Sequence, residues 1–104
     1  MARAVTWAES AVEDLEKAAE FIARDSPSYA GDLVREAFAA ARSLQSLGER
    51  GRIVPEAGSP HIRELFIKRS FRLIYKVSPG KVHVLTLVHG ARDLTALWSE
   101  IEQR

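Results

Sequence analysis

The stretch RSFRLIYKV, residues 69–77, decides the fold class because apolar and polar side chains alternate along it. The apolar side chains recur at every second position, which is the spacing of one face of a β-strand: Phe71, Leu73, Tyr75 and Val77. The opposite face of the same strand carries Arg72, Ile74 and Lys76. The stretch therefore predicts a strand with one buried face and one cationic face.

Three further strands are predicted around it. Residues 62–68 and 81–89 are rich in apolar and β-branched side chains, and short turns at Arg69-Ser70 and at residues 78–80 join them to the central stretch. Residues 3–7 alternate in the same way and predict a first strand. Because residues 81–89 are apolar on both faces, we expect that strand to lie inside the sheet.

Two amphipathic helices are predicted between the first strand and the others. The first carries an apolar stripe with acidic residues in its early turns: Val12, Leu15, Ala18, Ala19 and Ile22. Ser26-Pro27 predicts the N-cap and first residue of the second helix, and Gly48 is placed as its C′ residue. The second stripe is Ala30, Leu33, Val34, Ala37, Phe38, Ala41, Leu44 and Leu47. The short connection predicts an antiparallel helical hairpin.

Residues 48–60, with several Gly and Pro, predict a loop. After Gly90, Asp93 is placed as the N-cap of a short C-terminal helix whose apolar side chains must be buried on this chain or on a partner: Leu94, Leu97, Trp98 and Ile101. The predicted class is α+β. A helical hairpin packs on one face of a mainly antiparallel four-stranded sheet, in one domain spanning residues 1–104.

The composition excludes several classes of protein. There is no cysteine, no apolar run of 18 residues and no signal-peptide h-region, so a cytoplasmic protein without a membrane span is expected. His83 and His89 are six positions apart, about 20 Å along a strand, and cannot share a metal. No nucleophile elbow or phosphate-binding glycine loop is present. We predict no metal and no cofactor.

Charge is concentrated in the second half of the chain. Residues 61–92 contain seven Lys or Arg side chains and one acid, Glu64, within a chain of net charge +1. Such a cluster suggests an anionic partner, and a binding face is predicted at Arg63, Arg69, Arg72, Lys76, His89 and Arg92. If the site is catalytic, Arg63, Arg72 and Arg92 would hold a phosphate and His89 would act as acid or base. Alternatively, Arg72 forms a cross-strand ion pair with Glu64.

The sequence resembles the ParE/RelE superfamily, the toxins of bacterial type II toxin–antitoxin pairs. The resemblance lies in VTWAESAVEDLEKAAEFIA, LGERGRIVPE, IRELFIKRSFRLIYKV and VLTLVHGARD, in that order. RelE-like members cut messenger RNA on the ribosome. The resemblance places their strand arginine at Arg72, their later arginine at Arg92 and one of two lysines at Arg63. The second lysine falls on Leu65, and the tyrosine after the last arginine is missing.

The resemblance to ParE-like members is greater, and it implies inhibition of DNA gyrase without covalent chemistry. It also implies a cognate antitoxin that binds the toxin in a hetero-oligomer. The alternatives are a RelE-like endoribonuclease acting on ribosome-bound messenger RNA and a non-toxic binding module with the same fold. We favour the gyrase inhibitor, because Leu65 and the missing tyrosine remove groups on which RNA cleavage depends.

Overall fold

The computed structural model describes residues 2–104. The chain forms, in order, these elements: β1 (Ala4–Trp7), α1 (Glu9–Ala23), α2 (Pro27–Ser43), β2 (Arg52–Ile53), a 3₁₀ helix (Pro55–Ala57), β3 (Ile62–Ile67), β4 (Phe71–Ser78), β5 (Lys81–His89), a second 3₁₀ helix (Thr95–Leu97) and α3 (Trp98–Glu102). No helix in this described part is long and apolar enough to cross a membrane.

The sheet has the order β1-β5-β4-β3-β2, with β1 parallel to β5 and every other pair antiparallel. The predicted α+β class is confirmed, and β5 is internal as expected. The strand count of four was wrong, because β2 lies in the segment predicted as a loop and pairs Arg52 with Glu64 and Ile53 with Arg63. Two residues are too few to show a periodicity in sequence.

A β-bulge interrupts the pairing of β4 with β5. Ile74 pairs with Thr86, but the next residue, Tyr75, pairs with Val84, so Leu85 is an extra residue on β5. Val84 packs against the helices, whereas Leu85 lies in the cluster on the opposite face of the sheet. The bulge therefore reverses the alternation of side chains in the second half of β5.

The start of α2 is as predicted, but its end is not. Ser26 is the N-cap, and its Oγ accepts the N–H of Tyr29 at 3.2 Å, with Pro27 as the first helical residue. The helix ends at Ser43, so Gly48 is not its C′ residue. Gly48 instead allows Arg3 to approach closely, since a Cβ at this position would lie 2.6 Å from Arg3 Nη1.

Each face of the sheet is covered by its own apolar cluster. The helical hairpin covers one face, with a cluster that includes Leu15, Leu33, Ala37, Leu73, Tyr75 and Val77. The C-terminal segment and the loop before β3 cover the other face, which we name the second core: Val54, Ile62, Ile74, Leu85, Leu94, Trp98 and Ile101. The cationic face of β4 is therefore covered, because the C-terminal apolar residues, expected to be buried on this chain or on a partner, are buried on this chain.

Candidate functional site

Arg72 lies at the centre of the sheet face that carries the second core, and it is only 3% exposed. Its Nε donates to Glu64 Oε1 at 2.6 Å. Its two terminal nitrogens donate to both oxygens of Glu56 at 2.9 and 2.8 Å, a bidentate pair. Nη1 also donates to the backbone oxygen of Arg92 at 3.1 Å. Four of the five guanidinium hydrogens are thus satisfied within the protein.

The two carboxylates that bind Arg72 come from different parts of the chain. Glu64 belongs to β3, its side chain is fully buried, and it also binds Arg52 of β2. Glu56 belongs to the first 3₁₀ helix, and it also accepts the N–H of Leu94 at 3.2 Å. We name the set Arg52, Glu56, Glu64 and Arg72 the ionic cluster; the side chain of Arg52 is 59% exposed, whereas the other three are largely buried. It joins β2, β3 and β4 to the start of the C-terminal segment.

The electrostatics of this cluster favour the charged form of every group for which a shift is resolved. Hydrogen bonds from Arg72 lower the pKa of Glu56 from 4.5 to about 2, although burial alone would raise it. Hydrogen bonds to Glu56 and Glu64 raise the pKa of Arg72. Two cations face two carboxylates, so the cluster is neutral as a whole. The alternative prediction of an Arg72–Glu64 ion pair is confirmed, whereas the open cationic face around Arg72 is not found.

Arg63 and His89 lie on the opposite face of the sheet from Arg72. Arg63 pairs with Tyr75 across the β3–β4 ladder, and its Nη1 donates to Gly51 O at 2.9 Å. His89 packs its ring edge-on against Phe71, with 5.9 Å between ring centroids. The predicted constellation of Arg63, Arg72, His89 and Arg92 is therefore divided between two faces. The bulge places His89 on the helix side of the sheet. Without the bulge, regular alternation from Val84 would place His89 on the same face as Arg72.

The other predicted cations are exposed but do not converge. Lys76 is on the same face as Arg72, opposite Ile62. Arg69 lies in the β3–β4 turn, where both it and Lys68 have left-handed backbone conformations with φ of 62° and 53°. Arg92 follows β5, with its side chain exposed. Arg69 lines a surface pocket with Tyr29 and Glu36 of α2, away from Arg92, so these side chains do not form one site.

The C-terminal residues predicted to make contacts are part of the protein interior. Leu94, Trp98 and Ile101 are buried in the second core, and Leu97 packs partly against it. Asp93 Oδ1 accepts the N–H and the hydroxyl of Thr95 at 2.9 and 2.7 Å within a local turn. The prediction of Asp93 as the N-cap was wrong, because Leu94 and Leu97 are the N-caps of the second 3₁₀ helix and of α3. The indole N–H of Trp98 is buried and has no acceptor among residues 2–104. The segment thus closes over Arg72.

An exposed aromatic and cationic surface, which the sequence did not predict as a whole, lies at the turn end of the β3–β4 hairpin. Phe66 is 49% exposed, and the guanidinium of Arg52 lies over its ring at 5.1 Å from the centroid. Arg69 is exposed in the adjacent turn. Lys68 of the same turn lies back against α2, with its Nζ 3.6 Å from Glu36 Oε2 and 5.5 Å from the centroid of the Tyr29 ring. We name Arg52, Phe66, Lys68 and Arg69 the hairpin-end patch. An apolar residue at an outward-facing position next to two cations was the available signal in the sequence.

A second surface feature is an apolar groove of about 710 Å³ between α1 and α2. Its floor and walls include Val12, Leu15, Ala19, Ala30, Val34 and Phe38. Glu13, Glu16 and Glu20 lie along its α1 side. Among residues 2–104, no group of three His, Asp or Glu side chains is arranged to hold a metal ion.

Comparisons with known proteins identify the family. Residues 5–94 match the family model of the ParE toxin of the type II toxin–antitoxin system, parDE. Toxin RelE2 of Caulobacter vibrioides is 32% identical over 88 residues, which cover 85% of this chain and 96% of that protein.

Two solved structures share the fold. The chromosomal ParDE system from P. aeruginosa superposes with a TM-score of 0.67 at 20% identity, over 84% of this chain and 95% of that one. The RelBE2 toxin–antitoxin complex from Mycobacterium tuberculosis superposes with a TM-score of 0.56 at 18% identity, over 88% and 95%. Taken with the family match over residues 5–94, these findings establish that the chain belongs to the ParE toxin family of type II toxin–antitoxin systems.

Proposed function

We propose that this toxin inhibits DNA gyrase by binding, so that replication stops, and that a cognate antitoxin neutralises it in a toxin–antitoxin complex. The observation that favours binding over RNA cleavage is the burial of Arg72 within the ionic cluster. The choice of gyrase rests on the ParE-like sequence resemblance and on the ParE family match.

An arginine that assists RNA cleavage must reach the scissile phosphate. Arg72 already donates to two carboxylates and a carbonyl, and withdrawing it would leave Glu64 with only Arg52 as an ionic partner. Leaving a buried charge uncompensated costs about 3–5 kcal/mol. His89 lies on the other face and cannot act as acid or base beside Arg72. A protein that inhibits by contact needs neither group.

The hairpin-end patch is the proposed contact surface for the target. Lys68 and Arg69 adopt the left-handed conformation that is unfavourable for residues other than glycine, and such strain concentrates at functional sites. Phe66 and Arg52 belong to residue types that are enriched in protein interfaces. The patch combines an exposed aromatic ring with the charge of Arg69, which is unpaired among residues 2–104, while Arg52 and Lys68 are paired with Glu64 and Glu36.

The antitoxin is proposed to use the groove between α1 and α2. This groove is apolar, and its α1 side has a net negative charge, because Glu13, Glu16 and Glu20 line it with a single cation, Lys17. We therefore expect an amphipathic antitoxin helix with apolar side chains toward the groove and basic side chains facing α1. An acidic segment of the same antitoxin would suit the hairpin-end patch.

The second candidate is a ribosome-dependent messenger RNA endoribonuclease, which the 32% identity to a protein named toxin RelE2 favours. That activity requires residues 92–104 to move away from the sheet, because they cover Arg72. The third candidate, a non-toxic binding module, predicts no effect on growth when the protein is expressed alone.

Two assays on the purified protein separate these functions. In the first, gyrase supercoils relaxed plasmid and trapped cleaved DNA is scored. In the second, translating ribosomes are supplied with a reporter messenger RNA and its cleavage is mapped. We expect that supercoiling is inhibited, that cleaved DNA is trapped, and that the messenger RNA stays intact. Arg69→Glu should weaken gyrase inhibition at least about tenfold, whereas Arg24→Glu, an exposed change at the end of α1, should not.

Cleaved messenger with normal supercoiling, abolished by Arg72→Lys, would overturn the proposal in favour of the nuclease. No effect in either assay and normal growth on expression would instead support the binding module. Equal inhibition by Arg69→Glu and the wild type would exclude the hairpin-end patch as the contact surface.

A further inference from the structure

The two outer strands of the sheet differ in how they are protected from pairing with another chain. At one side, β2 is only two residues long and contains Arg52, and the nearby β3–β4 turn carries Lys68 and Arg69. Short edge strands and cations are the usual means of preventing edge-to-edge association. At the other side, β1 exposes the small uncharged side chains of Ala4 and Thr6 and contains no Pro, Lys or bulge. Just before β1, the N–H of Arg3 donates to Gln45 O at 2.7 Å. From Val5 to Trp7 the edge has none of these protecting features.

The backbone groups available at this edge follow from the β1–β5 hydrogen bonds. The N–H groups of Ala4 and Ala8 donate to Gly80 O and Val84 O at 2.9 and 2.8 Å. In a parallel ladder the residues between these positions point their N–H and C=O groups the other way. Val5 and Trp7 therefore direct two donors and two acceptors away from the sheet.

We propose that a second copy of this chain pairs with β1 in antiparallel orientation, which forms a two-fold dimer with a continuous ten-stranded sheet. With the axis at Thr6, Val5 of each copy lies opposite Trp7 of the other, and all four outward groups at each edge form hydrogen bonds. The edge is thus complementary to itself, which a two-fold interface requires. This inference concerns assembly and goes beyond the proposed function, whichever target the toxin has.

The charges near β1 fit a second copy of the chain. The same register brings Arg3 of one copy to the end of the strand where Glu9 of the other begins α1. Arg3 also lies 3.9 Å from Glu49 of its own chain, and Arg50 lines the same surface pocket. Each edge then contributes two cations and two anions, so two copies meet without net repulsion. A strongly charged partner would find no matching charge here, in contrast to the hairpin-end patch.

Exposed apolar side chains border the same edge on the helix side. Phe38 is 41% exposed and packs against Trp7 with ring centroids 5.0 Å apart. Leu47 is 57% exposed and lies beside Arg3 in a shallow surface pocket. Both were predicted in the buried stripe of the second helix, and both stay exposed in the single chain. Dimerisation through β1 gives them a partner surface.

Sedimentation equilibrium of the full chain over about 1–200 μM, at low and high ionic strength, tests the dimer. For the wild type we expect a monomer–dimer equilibrium, in which the weight-average mass rises with concentration toward twice the chain mass of 11.6 kDa. Thr6→Asp places two carboxylates opposite each other on the axis and should raise the dimer dissociation constant at least about tenfold, since like charges directly opposite are destabilising. In each monomer the new carboxylate can still accept from His83, which contacts Thr6 Oγ1 at 2.7 Å. The matched control Thr6→Asn adds no charge and should still dimerise.

A charge exchange provides the second measurement. Arg3→Glu should weaken the dimer, and adding Glu9→Arg should restore it, with thermal unfolding of each variant recorded to show that the fold is intact. A wild-type monomer at 200 μM, open-ended association instead of a dimer, or equal dissociation constants for Thr6→Asp and Thr6→Asn would each overturn the proposal.

Discussion

Replacing Arg72 should destabilise the fold far more than replacing any exposed arginine. Arg72→Met keeps much of the side-chain length but leaves Glu56 without an ionic partner and Glu64 with only Arg52. Removing one member of a buried ion pair costs about 3–5 kcal/mol. The residual Glu64–Arg52 pair favours the lower end, about 3 kcal/mol. A domain of this kind has a total free energy of unfolding of about 5–15 kcal/mol, so the loss is a large fraction of it.

The measurement is urea unfolding at pH 7, followed by far-ultraviolet circular dichroism. Arg69→Met removes an exposed arginine by the same chemical change and should alter the free energy of unfolding by less than about 0.5 kcal/mol. Adding Glu56→Gln and Glu64→Gln to Arg72→Met should recover much of the loss, because no unpaired carboxylate remains. If Arg72→Met lowers the free energy of unfolding by less than about 1 kcal/mol, or if the triple variant is no more stable than Arg72→Met, then Arg72 does not stabilise the fold by neutralising Glu56 and Glu64.

Two further predictions concern the groups that hold the C-terminal segment. The pKa of Glu56 is lowered to about 2, so its ionised form stabilises the fold above the ordinary value of 4.5, and that contribution is lost as the pH falls toward 2. The stability difference between wild type and Glu56→Gln should therefore be largest above pH 4.5 and shrink toward pH 2; a constant difference would contradict this. Ile101→Ala should cost about 2–5 kcal/mol and reduce the near-ultraviolet signal of Trp98. The exposed neighbour Ser99→Ala should change neither, and unchanged stability in Ile101→Ala would mean that the segment is not docked.

Several parts of the fold followed from local patterns. The alternation along residues 71–77 correctly separates the side chains that face the helices from Arg72 and Ile74. Ser26-Pro27 correctly marks the start of α2, because capping depends on atoms within one turn of the chain. β2 was missed, since its two residues form a strand only through pairing with β3.

The candidate site depended on non-local packing to a much greater degree. The sequence predicted that Arg72 and Lys76 share a face and that Glu64 is available to pair with Arg72. It did not predict that Glu56, 16 positions before Arg72, completes a bidentate pair with it. It also did not predict that His89 changes face, because the bulge at Leu85 exists only in the pairing of β4 with β5.

The α+β class, the helical hairpin and the family could therefore be predicted from periodicity, capping and motifs along the chain. The burial of Arg72 on the cationic face of β4 became apparent only in the folded chain. That outcome required the apolar side chains of residues 94–101 to cover the sheet, and burial of Arg72 required two carboxylates from separate segments to neutralise it. Desolvating a guanidinium is unfavourable unless such partners converge, and their convergence is a property of the folded chain.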